Sequence, residues 1–275
     1  MKRIILPCVL ILCVLLISCS LGQDEVEEQF LCKIDILDVG KADCIVINTG
    51  TRLIMIDTAE RENLSVIQAY MSANEYTKID TLILTHFDKD HIGNVSNVAT
   101  LYGVDRVIES SFSTDTPEYI EYHSTLNQLG VEITKLTSNY SVTLDGCELE
   151  IDIPKKSHYK NKEDNNASLV ISLRCGERKF LFCGDAMELR VKELVDAQIG
   201  TYDFVKLPYH GNYLDNYRDF LDMVKPSYGA ITCSKRNPAS PDTLILLDEY
   251  EVAVYQTRYG MISVTTDGRE ITIEQ

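Results

Sequence analysis

The ten-residue segment THFDKDHIGN, at positions 85–94, holds two histidines and two aspartates. Imidazole nitrogens bind zinc, manganese and iron, and carboxylate oxygens shift the preference towards harder ions. His86 and Asp88 are two residues apart and can converge on one ion, whereas the adjacent Asp90 and His91 suit a second ion. The structural alternative, a charged helix N-cap with His86 in the core, needs only one acid and no second histidine. The spacing therefore predicts a site for two divalent ions.

Two later positions could complete such a site. Asp185 follows a glycine after the apolar run 179–183, and its two oxygens are enough to bridge two cations. It could also cap a helix that begins at residue 187. His210 follows the predicted strand 203–207 and precedes a glycine that permits a sharp turn. There it could be a metal ligand or a general acid for a leaving group, although a single histidine is often structural.

These side chains need strand ends to position them. The run IDTLILT at 79–85 is almost wholly apolar, which predicts a central strand buried on both faces, with the segment 85–94 at its carboxyl end. The other predicted strands are 31–39, 44–48, 53–57, 104–109, 147–153, 168–175, 179–183, 204–207, 228–232, 252–255, 261–265 and 270–273, and the predicted helices are 63–73, 117–129, 187–197, 214–224 and 241–247. The mixed order of meanders and βα units favours two packed sheets with helices outside, in one αββα domain from about residue 31 to 275.

The pattern His-x-Asp-x-Asp-His-x-Gly at 86–93 resembles the metal motif of the metallo-β-lactamase superfamily, in the variant with aspartate in place of the second histidine. Together with LDVGKAD at 37–43, it is similar to the extracellular hydrolase-like domain of ComEC-type competence proteins and their stand-alone relatives. Later segments follow in the family's order: NNASLV at 165–170, FCGD at 182–185, KLPYHG at 206–211, SP at 240–241 and RYGMI at 258–262. The resemblance covers about residues 33 to 268. It implies a metallo-β-lactamase-like α+β fold, an αββα sandwich of two mixed β-sheets packed face to face with helices outside.

The resemblance also implies two divalent metal ions, zinc or manganese, as cofactors. The expected ligands are His86, Asp88, Asp90, His91, Asp185 and His210, of which Asp185 bridges the ions and Asp90 and His210 also act in catalysis. Asp57 closes a predicted strand and resembles a carboxylate that supports the family's ligands. Asn166 and Ser168 stand where the superfamily often has a third histidine for the first ion.

Other acids and histidines receive weaker assignments. Asp38 and Asp43 lie at the first predicted hairpin and could hydrogen-bond to ligating histidines, although Asp43 could equally only fix a turn. His123 and His158 match no motif position and are expected on the surface.

Two departures from the family pattern bear on the number of ions. Relatives commonly carry His-His-Gly where this chain has Tyr209-His210-Gly211, and a His-Pro-Ser segment where it has PASP at 238–241. No histidine follows His210. One ion would then be held by Asp90, His91 and Asp185 alone, or by those residues and His210. The expected number of ions is therefore two, or one.

The leading functional interpretation is a metal-dependent hydrolase, a phosphodiesterase or nuclease of ComEC-like type that uses a metal-bound hydroxide. The phosphoester preference follows from the resemblance and from the oxygen-rich ligand set. A net charge of −16, from 42 acidic and 26 basic side chains, lacks the basic footprint of sequence-independent nucleic-acid binding. The expected partner is a small phosphoester, or a nucleic acid held by local contacts only. The alternatives are a degenerate binding or scaffold module of the same fold with little or no catalysis and, third, a β-lactamase.

The N-terminal segment is typical of an export signal. Lys2 and Arg3 precede an apolar run at 4–17, which is too short to span a bilayer comfortably. LISC at 16–19 resembles a bacterial lipobox, which implies cleavage before Cys19 and lipid attachment to its thiol. We therefore expect a signal peptide at 1–18, a lipidated tether at 19–30 and the folded domain at 31–275. The protein would lie on the outer face of the cell membrane as a lipoprotein, or be secreted if the segment is an ordinary signal.

Six of the nine cysteines lie in the body of the chain, within apolar strand patterns and without a Cys-x-x-Cys pair. They are Cys32, Cys44, Cys147, Cys175, Cys183 and Cys233. We expect buried free thiols in preference to disulfides, even though an exported protein could oxidise some of them.

Overall fold

Fifteen β-strands form in the computed structural model, which describes residues 32–156, 158–159 and 163–275. They are Cys32–Ile36 (β1), Ile45–Asn48 (β2), Leu53–Ile56 (β3), Ile79–Leu84 (β4), Val104–Ser110 (β5), Glu132–Leu136 (β6), Tyr140–Leu144 (β7), Cys147–Asp152 (β8), Val170–Cys175 (β9), Arg178–Phe182 (β10), Phe204–Lys206 (β11), Tyr228–Ile231 (β12), Ala253–Gln256 (β13), Ile262–Thr266 (β14) and Ile271–Glu274 (β15). The first sheet has the order β15-β14-β1-β2-β3-β4-β5-β6, and the second has the order β13-β12-β11-β10-β9-β8-β7.

Both sheets are mixed. In the first sheet β1, β2 and β3 pair antiparallel, and β3 to β6 pair parallel. In the second sheet β7 to β10 pair antiparallel, and β10 to β13 pair parallel. Parallel neighbours need a crossover connection, and this requirement places the helices.

Eight α-helices are described, and those of regular length lie in the connections between parallel strands. They are Leu64–Ala73 (α1), Lys89–Ile92 (α2), Val95–Tyr102 (α3), Pro117–Leu129 (α4), Glu163–Asn166 (α5), Glu188–Ala197 (α6), Tyr217–Val224 (α7) and Pro241–Glu249 (α8). Proline opens α4, and Gly130 follows its end with φ +70°, a backbone conformation that costs glycine little.

Three buried apolar clusters form the interior. The central one lies between the sheets and contains residues of both, such as Ile36, Ile56 and Phe180. A second cluster joins the first sheet to α1, α3 and α4, and a third joins the second sheet to α6, α7 and α8. The layers therefore run helix, sheet, sheet, helix, and the predicted αββα sandwich is confirmed.

Several local predictions differ from the structure. β6 and β7 were not predicted, and both are edge strands with many half-exposed side chains, so their apolar pattern is weak. The short helices α2, α3 and α5 were also missed, and α7 begins at Tyr217 and not at residue 214. The segment 85–94 after β4 thus contains the helix α2, which turns its consecutive side chains in different directions.

The cysteine prediction is wrong for one pair. Cys147 and Cys175 form a disulfide, because the antiparallel register of β8 and β9 places them directly opposite each other. The other four described cysteines, Cys32, Cys44, Cys183 and Cys233, are buried free thiols as expected. Strand register, which the spacing of cysteines does not reveal, decided which pair could be oxidised.

The predicted signal peptide, Cys19 and the tether lie outside the described residues. Within the described part of the chain, no helix is both long enough and apolar enough to cross a membrane.

Candidate metal centre

The carboxyl ends of parallel strands position the candidate site. Asp57 follows β3 and His86 follows β4 in the first sheet, whereas Asp185 and His210 follow β10 and β11 in the second. Parallel strands present their carboxyl ends at the same edge, and that edge carries ligands in open sheets of this kind. The ends of both sheets meet here, so residues far apart in sequence become neighbours.

Two histidines from the first sheet share one buried carboxylate. His91 Nδ1 lies 2.7 Å from Asp57 Oδ2. Thr85 Oγ1 donates to the same oxygen at 2.7 Å and lies 3.1 Å from His86 Nδ1. Since the threonine proton goes to Asp57, the threonine oxygen accepts from His86. Both rings therefore carry their proton on Nδ1 and present the Nε2 lone pair to the site.

His210 is held by an equivalent relay from the second sheet. Its Nδ1 lies 2.9 Å from Thr232 Oγ1, and this hydroxyl donates to Asp43 Oδ1 at 2.6 Å. The Thr232 oxygen thus accepts from His210 Nδ1. All three side chains are buried, so the ring has one orientation and one tautomer.

Four ligand atoms converge beside these rings. His210 Nε2 lies 3.1 Å from Asp185 Oδ2 and 3.5 Å from Asp90 Oδ2, and His91 Nε2 lies 3.5 Å from Asp185 Oδ1. The ligand atoms of Asp90, His91, Asp185 and His210 all lie within 4.8 Å of one another. Two nitrogens and two carboxylates at this spacing suit a divalent transition-metal ion.

Unpaired buried atoms show that this cluster fits a metal. The Nε2 atoms of His86, His91 and His210 and Oδ1 of Asp185 are buried without a hydrogen-bond partner among the described residues. A buried polar atom without a partner costs stability, and natural proteins rarely retain one without a reason. Cations that accept these lone pairs, one beside His91 and His210 and one beside His86, would satisfy all four atoms, so the donor set fits the ions implied by the family resemblance.

The electrostatics of the cluster follow from burial and close charges. Burial alone would raise the pKa of Asp185, but His210 and His91 beside it hold that pKa well below its usual value. Burial and the nearby His91 lower the pKa of His86 to about 3, which keeps this imidazole neutral. The neutral His86 and the ionised Asp185 are in the protonation states that bind metal. Burial alone would lower the pKa of His91 and of His210, but the nearby Asp185 raises the pKa of both rings, so an ion that binds their Nε2 atoms would displace a second proton from each ring.

The predicted second ion has fewer described donors. His86 Nε2 lies 3.8 Å from Asp88 Oδ2, and the His86 ring is 4.0 Å from the His91 ring. Asn165 Nδ2 donates to Asp185 Oδ2 at 3.4 Å, so this carboxylate oxygen already has a hydrogen-bond partner. An ion beside His86 would thus need Asp88 as a ligand and would share Asp185 with the first ion. The first ion would have four donors, from Asp90, His91, Asp185 and His210.

The turn that carries His210 has an unusual backbone. Tyr209 and His210 have φ of +51° and +52°, a backbone region that residues other than glycine rarely occupy. Gly211 follows with φ of +72°. A Cβ on Gly211 would lie 2.9 Å from Ile231 Cγ2. Such strain persists only when surrounding contacts fix it, and it is concentrated at functional sites.

Lys206 lies in the segment KLPYHG at 206–211, and the sequence alone indicated no role for it. It is fully buried, its Nζ contacts Asp43 Oδ2 and donates to the Gly184 carbonyl at 3.0 Å, and it lies 3.8 Å from Asp185 Oδ1. Burial alone would lower the pKa of Lys206, but Asp43 and Asp185 raise it above its ordinary value. The ammonium is therefore a permanent charge beside the cluster.

The remaining predicted positions divide into supporting and peripheral ones. Ser168 Oγ accepts from the Asp185 backbone at 3.2 Å, and Asn166 Oδ1 accepts from the Arg190 backbone at 3.0 Å, at the start of α6. Asn166 therefore supports a helix end, and its neighbour Asn165 contacts the ligand carboxylate instead. Asp38 is exposed, and none of the imidazole hydrogen bonds described above ends on it, so its predicted support of a ligand is wrong.

The two unassigned histidines also differ from each other. His158 is exposed, as predicted. His123 is half-buried, with its ring against Tyr119 and Tyr122 and its Nε2 3.2 Å from Glu109 Oε1, so the expected surface position is wrong. It lies in α4 and contacts Glu109 of β5, apart from the candidate cluster.

Sequence reasoning missed four residues that shape the site: Thr85, Asn165, Lys206 and Thr232. Lys206 had a signal, because a lysine inside the buried run Phe-Val-Lys requires a buried partner. Thr85 and Thr232 directly follow the apolar strands β4 and β12, where a hydroxyl can support a ligand. Their partners come from other strands, so no local pattern identifies them.

An open cleft leads to the cluster. It has a volume of about 330 Å³ and is lined by Lys41, Asp88, Asp90, Asn165, Asp185, Tyr209 and His210. Lys41 Nζ lies 5.7 Å from the centre of the Tyr209 ring. A small ligand can therefore reach the ligand atoms from solvent.

Comparison with known proteins identifies the family of the chain. Residues 37–234 match the family described as the metallo-beta-lactamase superfamily. ComE operon protein 3 of Bacillus subtilis is 22% identical over 247 residues, which cover 82% of this chain and 32% of that protein. Recombination protein 2 of Haemophilus influenzae is 26% identical over 256 residues, which cover 88% of this chain and 30% of that protein. The chain thus spans about a third of the length of these relatives.

A solved structure shares the fold. YhfI from Bacillus subtilis, a metallo-beta-lactamase fold protein, superposes with a TM-score of 0.58 at 9% identity, over 88% of this chain and 99% of that chain. The resemblance to the superfamily and to competence proteins, stated from sequence, is confirmed by these matches. Because the family match covers well over half of the sequence, the chain belongs to the metallo-β-lactamase superfamily.

Proposed function

We propose that the protein is a metal-dependent phosphodiesterase that acts on small phosphodiesters. The observation that carries the proposal is the convergence of two buried, unpaired Nε2 atoms, those of His91 and His210, on the Asp185 carboxylate, which lines an open cleft. Divalent ions bound there would supply an activated water and a Lewis acid for the phosphoryl oxygens. The oxygen-rich donor set, with three aspartates, favours phosphate chemistry with manganese or zinc.

The protein's own residues divide the work. His91 and His210 hold fixed lone pairs towards the cluster, and Asp185 presents one oxygen to each of them. His210 has its Nδ1 bound to Thr232, so its Nε2 faces the cluster, where it would serve as a ligand when an ion is bound. Asp90 is half-buried and faces the cleft, where its carboxylate can accept a hydrogen bond from the attacking water.

The cleft favours a small substrate. Its volume of about 330 Å³ is at the lower end for ligand pockets, and its described lining holds three aspartates and one lysine. Lys41 can contact a phosphoryl oxygen at the mouth, beside the Tyr209 ring. A net charge of −16 opposes long contacts with a nucleic acid, so a nucleic-acid substrate would be held at one phosphodiester only.

Metal content and hydrolysis test this proposal. The purified protein is expected to bind Zn²⁺ or Mn²⁺ and to hydrolyse bis-p-nitrophenyl phosphate. His91→Ala is expected to lose both properties, whereas His158→Ala, an exposed histidine, keeps both. A metal-loaded protein that leaves this ester and nucleotide phosphodiesters intact would refute the enzyme proposal, and nitrocefin turnover would indicate a β-lactamase instead.

A binding or scaffold module is the second candidate. It is favoured by Tyr209, which stands where relatives commonly carry histidine, and by the sparse donors around His86. A module of this kind would bind less than one ion per chain and show no hydrolysis of either substrate class. The same two measurements therefore separate the candidates.

We also propose that the protein is exported and anchored through Cys19. The basic and apolar N-terminal segment and the LISC sequence support this location. Mass spectrometry of the membrane-extracted protein is expected to find a diacylglyceryl group on an N-terminal Cys19. An unmodified N-terminus that begins elsewhere would contradict the anchor. Equal recovery of wild type and Cys19→Ser in the membrane fraction would also contradict it.

A further inference from the structure

Lys206 is a fully buried cation within a short buried strand. It has no exposed surface, and the strand β11 around it is buried at every position. Burying an ammonium without partners is very costly, so its neighbours must offset the lost hydration. Its neighbours are the Asp43 carboxylate, the Gly184 carbonyl oxygen and, at 3.8 Å, Asp185 Oδ1.

Asp43 connects this ammonium to a second candidate ligand. Its Oδ2 contacts Lys206, and its Oδ1 accepts from Thr232 Oγ1 at 2.6 Å. The same hydroxyl lies 2.9 Å from His210 Nδ1. The two oxygens of one buried carboxylate therefore join Lys206 to the ring of His210.

The connection crosses the interface between the two sheets. Asp43 lies in the loop between β1 and β2 of the first sheet, whereas Lys206 and Thr232 lie at the ends of β11 and β12 in the second. The Gly184 carbonyl that accepts from Lys206 also accepts from the Tyr209 backbone at 3.4 Å. Lys206 thus belongs to the segment that carries His210 and contacts the segment that carries Asp185.

The charge arrangement explains why a cation is placed there. Asp43 and Asp185 are both buried, and Lys206 Nζ contacts Asp43 Oδ2 and lies 3.8 Å from Asp185 Oδ1. A positive charge close to both carboxylates offsets the repulsion between them, which a buried site screens only weakly. Without it, the Asp185 carboxylate would tend to turn away from Asp43.

We propose that Lys206 is a positioning residue for the metal centre, holding Asp185 directly and His210 through Asp43 and Thr232. The inference rests on the proposed function only in assuming that these two side chains bind an ion. It assigns Lys206 no contact with substrate.

Metal affinity and ligand geometry test the proposal without any substrate. Lys206→Met keeps the length of the side chain and removes its charge. We expect Zn²⁺ affinity, measured by competition with a chromophoric chelator, to fall by about 10- to 100-fold. We also expect the visible absorption bands of the Co²⁺-loaded protein to shift, because the positions of two ligands change. A folded Lys206→Met variant with wild-type Zn²⁺ affinity and Co²⁺ bands would overturn the proposal.

A matched control separates positioning from general destabilisation. Tyr70→Phe removes a buried hydrogen bond of 2.6 Å to Asp35, outside the cluster. This variant is expected to lose stability and to keep the wild-type Zn²⁺ affinity and Co²⁺ bands. If it shifted the bands as strongly as Lys206→Met does, the specific role of Lys206 would be refuted.

A second variant covers the case in which Lys206→Met does not fold. Thr232→Val is nearly isosteric and removes only the hydroxyl that joins Asp43 to His210. Shifted Co²⁺ bands in this variant support the connection, and unchanged bands refute it. Absence of hydrolysis by the metal-loaded wild type would refute the proposed function alone, since none of these readouts involves a substrate.

Discussion

At the scale of single residues, the candidate centre is built from pairs in which one side chain fixes another. Asp57 holds His91 directly and His86 through Thr85, and Asp43 holds His210 through Thr232. In each case the hydrogen bond uses Nδ1 of the histidine ring, so Nε2 faces the candidate metal site. The Asp57 and Asp43 carboxylates thus determine which nitrogen of each histidine faces the candidate site.

A substitution of Lys41 tests substrate binding separately from metal binding. Lys41→Met is expected to raise KM for bis-p-nitrophenyl phosphate several-fold with little change in kcat, because the side chain lines the cleft mouth and holds no ligand. Lys192→Met is the control, since this exposed lysine pairs with Asp196 on α6. Equal KM values for wild type and Lys41→Met would show that the ammonium does not contact the substrate.

At the scale of elements, the turn after β11 determines where His210 lies. Three consecutive residues there have positive φ, and the close approach of Ile231 leaves no room for a Cβ at position 211. The turn is also tied to the neighbouring strand end by the hydrogen bond from Tyr209 to Gly184. A strained turn with these contacts places the imidazole more precisely than an open loop could.

Gly211→Ala tests this turn. The added methyl group would be strained by the positive φ and would collide with Ile231, so we expect a loss of about 1–3 kcal/mol in unfolding free energy and weaker Zn²⁺ binding. Gly200→Ala has a similarly positive φ but open space around the new Cβ, and it should be milder and leave Zn²⁺ binding unchanged. Urea denaturation and chelator competition measure both effects. Equal losses for the two variants would show that the contact with Ile231 is unimportant.

A second element-level feature is the disulfide between β8 and β9. It closes a loop with a sequence separation of 28 and joins two strands that already pair. In the chain-entropy account, it stabilises the fold by restricting the unfolded chain.

Removing this disulfide should therefore lower stability without affecting the centre. The double variant Cys147→Ser, Cys175→Ser is expected to lose about 3.6 kcal/mol in unfolding free energy, by the chain-entropy estimate for a loop of this length. Zn²⁺ affinity should stay at the wild-type value, because neither cysteine contacts a ligand. Thiol titration of the denatured wild type, without reductant, should find the four free cysteines of the described region, and two further reactive thiols there would refute the disulfide.

At the scale of the whole molecule, the centre lies where the two sheets meet, and it needs both. The first sheet supplies His86, His91 and Asp57, and the second supplies Asp185, His210 and Lys206. The apolar core between the sheets holds these two halves in register. An ion that binds both halves would act as a bridge between the sheets.

Metal removal should therefore destabilise the entire domain. A ligand that binds only the folded state stabilises it by about 4 kcal/mol when its concentration is 1,000 times Kd. We expect EDTA to lower the thermal midpoint of the wild type by several degrees, and to leave that of His91→Ala nearly unchanged. Scanning calorimetry measures both, and an equal response of the two proteins to EDTA would contradict a bridging ion.

Much of the fold and of the candidate site was predictable from local signals. Apolar runs identified most strands, and the dense motif at 85–94 indicated a metal site, because both signals lie within a few consecutive residues. The edge strands β6 and β7 were missed because half-exposed strands have weak apolar patterns. Asn165 was missed in favour of Asn166 because only the backbone path shows which of two adjacent amides faces Asp185.

By itself, the sequence determined the fold class, the family and the residues able to bind a metal, since each depends on residue type and short-range spacing. Only the tertiary structure decided which groups meet: Cys147 with Cys175, Thr232 with His210, and Lys206 with Asp43. These partners lie in different strands or loops, and strand register and the packing of two sheets bring them together. A pairing that depends on register leaves no trace in local sequence, which is why the supports of the centre became visible only in the folded chain.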